Sequence, residues 1–74
     1  MSERYFFHIR HGEDVSVDDE GTEFMTSLEA DSYGARVAKD IGEDDFDYGD
    51  AEVSVVDARG NEIARHRIQR QLQH

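Results

Sequence analysis

Apolar and polar residues alternate with a period of two at both ends of the chain and with a helical period in between. Arg4 to Arg10 carries Tyr5, Phe6, Phe7 and Ile9, aromatic or β-branched residues in a run too short for a stable helix, and reads as a strand. His11-Gly12 follows as a turn. Asp14 to Asp18, with Val15 and Val17 alternating with Ser16, reads as a half-buried return strand. Asp18-Asp19-Glu20-Gly21 then supplies acidic turn formers and a glycine able to take positive φ, before Phe24 returns toward the core.

Thr26-Ser27-Leu28-Glu29 marks a helix start, with Thr26 and Glu29 as a capping box or Ser27 as the alternative N-cap. The helix is expected from about Ser27 to Ile41, closed by Gly42. Ala30, Gly34, Val37, Ala38 and Ile41 fall on one arc, and Glu29, Ser32, Arg36, Lys39 and Asp40 opposite. Gly34 weakens a helix by about 1 kcal/mol relative to alanine; close approach to bulky sheet residues, with Tyr5 and Phe7 as candidates, would account for it. An aspartate-rich loop from Glu43 to Asp50 follows. Ala51 to Asp57 is a clear strand, Asp57-Ala58-Arg59-Gly60 fits a three-residue hairpin turn, and Glu62 to Ile68 is the return. Residues 69–74, polar and glutamine-rich, are expected to fray.

The pattern therefore predicts a single α+β domain over residues 1–74, an antiparallel sheet of two β-hairpins with one helix on one face, in the order ββαββ. Tyr5, Phe7, Ile9, Val15, Val17, Val53, Val55, Ala64 and Ile68 are expected to face the helix, joined by Leu28 and Ile41. Alternation sends Phe6, His8, Arg10, Ser16, Ser54, Val56, Ile63, Arg65 and Arg67 to the other face, which one helix cannot also cover.

Charge changes the picture. The formal net charge of −10 opposes nonspecific binding to nucleic acid or an anionic membrane. It is uneven: residues 1–57 hold 17 acidic against four basic side chains, whereas residues 58–74 hold Arg59, Arg65, Arg67 and Arg70 against Glu62 alone. No disulfide or thiolate-bound metal can staple the fold, since cysteine is absent. A chain of 74 residues with a thin core then relies on tight packing or oligomerisation. The chain lacks an apolar stretch of membrane-spanning length, and its first residues are too charged for a secretory signal, so a cytoplasmic protein is expected.

The run Arg4-Tyr5-Phe6-Phe7-His8-Ile9-Arg10, then Gly12, Asp19-Glu20-Gly21, Leu28-Glu29-Ala30 and Val55-Val56-Asp57 with Gly60, resembles domain-of-unknown-function family 6894, short proteins of alphaproteobacteria. The resemblance spans Arg4 to about Ile68. His11 stands where the family often has aspartate, and Arg65, His66 and Arg67 make the last strand more polar than is usual there. The resemblance implies a shared fold and assigns no chemistry.

His8 and His11, with Glu13 and Asp14 nearby, are the most metal-like set, but their convergence would depend on turn geometry. Asp44, Asp45, Asp47 and Asp50 fail the EF-hand template, which needs glycine where Asp50 stands and glutamate where Val56 stands. No metal and no cofactor are assigned. With no nucleophile elbow, phosphate loop or dinucleotide fingerprint, no catalytic residues are assigned and an enzyme is not expected.

These residues do not specify a biochemical reaction. They favour a small interaction module, a homo-oligomer or the binder of a protein partner, using the face of Phe6, His8, Arg10, Val56, Ile63, Arg65 and Arg67. One alternative is an anion or single-stranded nucleic-acid binder on the same face. The other is an acidic surface that meets a basic protein.

Overall fold

The computed structural model describes residues 2–44 and 51–68. Six elements follow in order: β1 (Glu3–His11), β2 (Asp14–Ser16), β3 (Thr22–Phe24), α1 (Ser27–Asp44), β4 (Glu52–Val56) and β5 (Glu62–Arg67). The expected α+β architecture is present, with a short third strand added before the helix. The strands form one antiparallel sheet in the order β2-β1-β4-β5, and β3 also pairs with β1.

β1 organises the sheet because its nine residues outlast either neighbour on its outer edge. Its C-terminal end pairs with β2, from Ile9↔Ser16 to His11↔Asp14, and its N-terminal end with β3, from Glu3↔Phe24 to Tyr5↔Thr22. Between those stretches three residues of β1, Phe6 to His8, face five of its partner, Val17 to Gly21. The two surplus residues loop out around Asp18. Gly21 sits in this loop at φ +72°, and a Cβ there would lie 2.8 Å from Arg4 Cγ and from the Tyr5 carbonyl oxygen.

The helix starts with the capping box. The Glu29 amide donates to Thr26 Oγ1 (3.1 Å) and the Thr26 amide to Glu29 Oε1 (3.2 Å), which makes Thr26 the N-cap. Gly42 does not end α1, which continues to Asp44. The predicted apolar arc faces inward: Ala30, Gly34 and Ala38 are buried, and Val37 and Ile41 half-buried. They meet Tyr5, Phe7, Val53, Val55 and Ile68 in the core, with Ile9 and Ala64 packed at its margin. His66 Nε2, 2.5 Å from Asp31 Oδ1, adds a polar tie from β5 to α1. Asp57 shapes the last hairpin: Gly60 takes φ +90°, and the Asp57 carboxylate accepts the amides of Arg59 (2.9 Å) and Asn61 (2.8 Å).

Three apolar residues expected in the core lie outside it. Val15 and Val17 are 49% and 62% exposed. Val15 lies directly opposite Arg10, so it shares the face away from the helix, and Ser16, expected outside, lies opposite Ile9. The helix also runs over β4 and β5 and reaches β3, leaving β2 uncovered. Leu28 is 73% exposed because it precedes the buried Ala30 by two residues, about 200° around the helix. The expected frayed tail, residues 69–74, and most of the aspartate-rich loop, residues 45–50, lie outside the described residues.

Gly34 is the point of closest approach between helix and sheet. An added Cβ would stand 2.6 Å from Val55 Cγ2, 3.2 Å from His66 Cδ2 and 3.6 Å from Phe7 Cε2. Phe7 is thus part of the reason for a glycine here, but buried, β-branched Val55 is the stricter neighbour. Gly34→Ala should therefore destabilise the domain by about 1–3 kcal/mol, the overpacking cost exceeding the gain in helix propensity. Urea unfolding followed by circular dichroism reads this; a more stable variant would show that the helix can lift off Val55 without loss.

Candidate interaction face

Residues directly opposite one another in an antiparallel pair share a face, so the register defines the surface turned away from α1. One row runs Val15, Arg10, Glu52, Arg67; the next runs His8, Ser54, Arg65; a third runs Phe6, Val56, Glu62; and Arg4 lies opposite Glu23 at the far end. Six of the seven residues singled out from the sequence thus come together: Phe6, His8, Arg10, Val56, Arg65 and Arg67. Ile63 does not join the row of Val56. A bulge between Val55 and Val56 sets Glu62 opposite Val56 and leaves Ile63 as the extra, exposed residue.

This bulge has electrostatic consequences. Glu62 accepts from Ser54 Oγ (2.8 Å) and takes a bidentate pair from Arg65, both contacts at 3.0 Å, while Glu52 lies 3.6 Å from Arg65 Nε. Arg65 first, and Ser54 second, hold the Glu62 carboxyl below its usual range. The buried hydroxyl of Ser54 is satisfied by this cluster. The guanidinium groups of Arg10 and Arg67, both exposed residues, make no hydrogen bond or ion pair among the described residues.

The aromatic half of the face is partly covered by the chain itself. Phe6 and His8 are half-buried, their rings nearly parallel at 14° with centroids 6.4 Å apart. The Asp18–Gly21 loop lies against this side: a Cβ on Gly21 would reach within 2.9 Å of Phe6 Cε1, and Arg4 Nη1 donates to the Glu20 carbonyl at 2.6 Å. Asp18 holds the loop down. Its carboxylate accepts the amides of Phe7 (3.1 Å), Glu20 (3.3 Å) and Gly21 (3.1 Å), and its own amide donates to His8 Nδ1 (3.0 Å). An imidazole accepting at Nδ1 carries its proton on Nε2, which fixes the tautomer of His8. The sequence reading did not find this arrangement, although an aspartate three residues before a turn glycine is its signature.

His8 and His11 both belong to β1, and a separation of three places them on opposite faces of a strand. Among the described residues, no group of three His, Cys, Asp or Glu side chains could hold a metal ion. No helix of the described residues is long and apolar enough to cross a membrane.

A family model described as a domain of unknown function, DUF6894, matches residues 4–69. The chain belongs to this family. The match covers every element from β1 to β5 except Glu3, the first residue of β1, and bears out the resemblance read from the sequence. No curated protein and no solved structure matches the chain. Membership in DUF6894 names no activity, so the function rests on the geometry of the face.

Burial raises the affinity of the Asp18 carboxyl for its proton, but the amides of Gly21, Phe7 and Glu20 outweigh it and hold it below the usual carboxylate range. A depressed carboxylate contributes stability above its unfolded value, about 3.9 for aspartate, and loses it as pH falls through the folded value. Asp57 and Glu62 are shifted the same way. Stability should hold near neutrality and fall once pH drops below about 4. Asp18→Ala, which orphans three amides, should cost about 2–3 kcal/mol at pH 7 and flatten the acid limb of the curve. Urea midpoints of both proteins across pH 2–7 check this; parallel curves would place the acid sensitivity elsewhere.

Proposed function

We propose that this chain is a small non-enzymatic interaction module that docks a protein partner through the sheet face opposite α1. The observation that carries this reading is the charge balance of that face. The chain totals −10, yet the face gathers Arg4, Arg10, Arg65 and Arg67 with Glu23, Glu52 and Glu62. Half of the eight basic side chains therefore share one surface of a strongly acidic molecule. Across the paired strands a partner meets these four cations against three carboxylates, with the acidic Asp18–Gly21 loop at one side. It also meets Phe6, His8, Val56 and exposed Val15 among arginine stems, a composition typical of interface cores.

Arg65 is already committed to Glu62 and Glu52, and those two carboxylates repel a phosphate backbone. The anion-binding reading of the same face is weaker for that reason.

Capture experiments with the full chain and a lysate of its source organism test the proposal. A protein retained by wild type and by Lys39→Glu, a charge reversal on the exposed side of α1, should be lost, or bound at least about tenfold more weakly, with Arg10→Glu/Arg67→Glu. Recovery independent of the double variant would remove the face from the interaction. A labelled single-stranded oligonucleotide at low salt is the companion probe: binding abolished by the double variant would transfer the face to the anion reading.

A further inference from the structure

On the helix side, the start of α1 and the end of β3 enclose an open groove of about 450 Å³, lined by Phe24, Leu28, Glu29, Ser32, Tyr33 and Arg36. Its aromatic wall is anchored: the Tyr33 ring meets Phe7 edge-on at 5.0 Å and Phe24 at 5.2 Å. Beside it Leu28, Met25 and Tyr33 are exposed, Leu28 by 73%. Single exposed apolar residues are ordinary, but a contiguous patch with an aromatic floor marks a contact surface.

The charges around the groove indicate what covers it. Glu29 and Arg36 lie on its helical wall seven residues apart, two turns or about 10.5 Å along the axis, with Ser32 and Tyr33 midway between them. This pattern is complementary to itself. A two-fold axis crossing the helix beside Ser32 and Tyr33 sets each Glu29 against the Arg36 of the other copy. The same operation lays each Leu28 beside the other copy's Arg36 stem, and small Ser32 at the crossing lets the helices approach. We propose that two copies of this chain pair through the N-terminal halves of α1, packed antiparallel over this groove. The surface is separate from the outer sheet face, so a dimer formed this way leaves both copies of that face open.

The full chain tests the proposal by sedimentation equilibrium over a concentration series. The wild-type mass should rise from 8.5 kDa toward twice that value. Leu28→Glu, at an exposed position, and Arg36→Glu, which sets two acids against each other, should each weaken dimerisation at least about tenfold. The chain has no cysteine, so a single thiol reports proximity to the axis. Under mild oxidant Ser32→Cys should cross-link at least about tenfold faster than Lys39→Cys, because pairing raises its effective concentration. Circular dichroism establishes that each variant is folded. A wild-type protein that stays at 8.5 kDa at millimolar concentration overturns the proposal. So does a dimer unaffected by Leu28→Glu, equal cross-linking of the two thiols, or a dimer broken by Arg10→Glu/Arg67→Glu and not by Arg36→Glu.

Discussion

The carboxylate of Asp18 takes the place of a missing stretch of strand. β1 is paired along one edge by β4 and at both ends of the other by β2 and β3, but in the middle of that edge the partner chain carries two residues too many. Left open, the Phe7 amide would be an unmet donor beside the core. Asp18 accepts it together with two amides of its own loop, and returns an amide to His8. The long strand is thereby kept extended, and the loop is drawn down beside Phe6. Both sides of the sheet depend on this arrangement, since β1 supplies Tyr5 and Phe7 to the core and Phe6, His8 and Arg10 to the outer surface.

Across the sheet, a second close fit seats the helix. Gly34 lets α1 approach Val55, and Asp31 with His66 ties the same turn to β5. Helix and sheet meet over small side chains, so the position of α1 is set by contacts that tolerate little displacement. The side chains of the next exposed turns, from Leu28 to Arg36, are presented on a wall with little freedom to shift.

Much of this was legible in the sequence because local signals agreed. Thr26 with Glu29 marked the helix start, Asp57 with Gly60 the hairpin, and the spacing of Ala30, Gly34 and Ala38 the buried arc. The outer face was legible wherever strand alternation held, hence Phe6, His8, Arg10, Arg65 and Arg67. The misreadings arose where alternation fails or depends on a partner. Val15 and Ser16 exchange faces because a three-residue strand takes its register from β1 and not from its own pattern. Ile63 lost its place opposite Val56 to a bulge that no glycine announces. Leu28 is apolar enough for the core, but its angular distance from Ala30 places it outside. Gly42 resembles a stop signal, yet glycine is permissive and the helix runs on to Asp44.

The sheet's two rims bear on how it can meet other chains. At one rim stands β5, bulged at Ile63 and bearing Arg65 and Arg67; at the other, β2 and β3 are interrupted by the Asp18 loop. A bulge, closely spaced cations and a broken edge are devices that discourage a further strand from adding on. Among the described residues, these rims are therefore poorly suited to extend the sheet into a neighbour or to capture an extended peptide along the border.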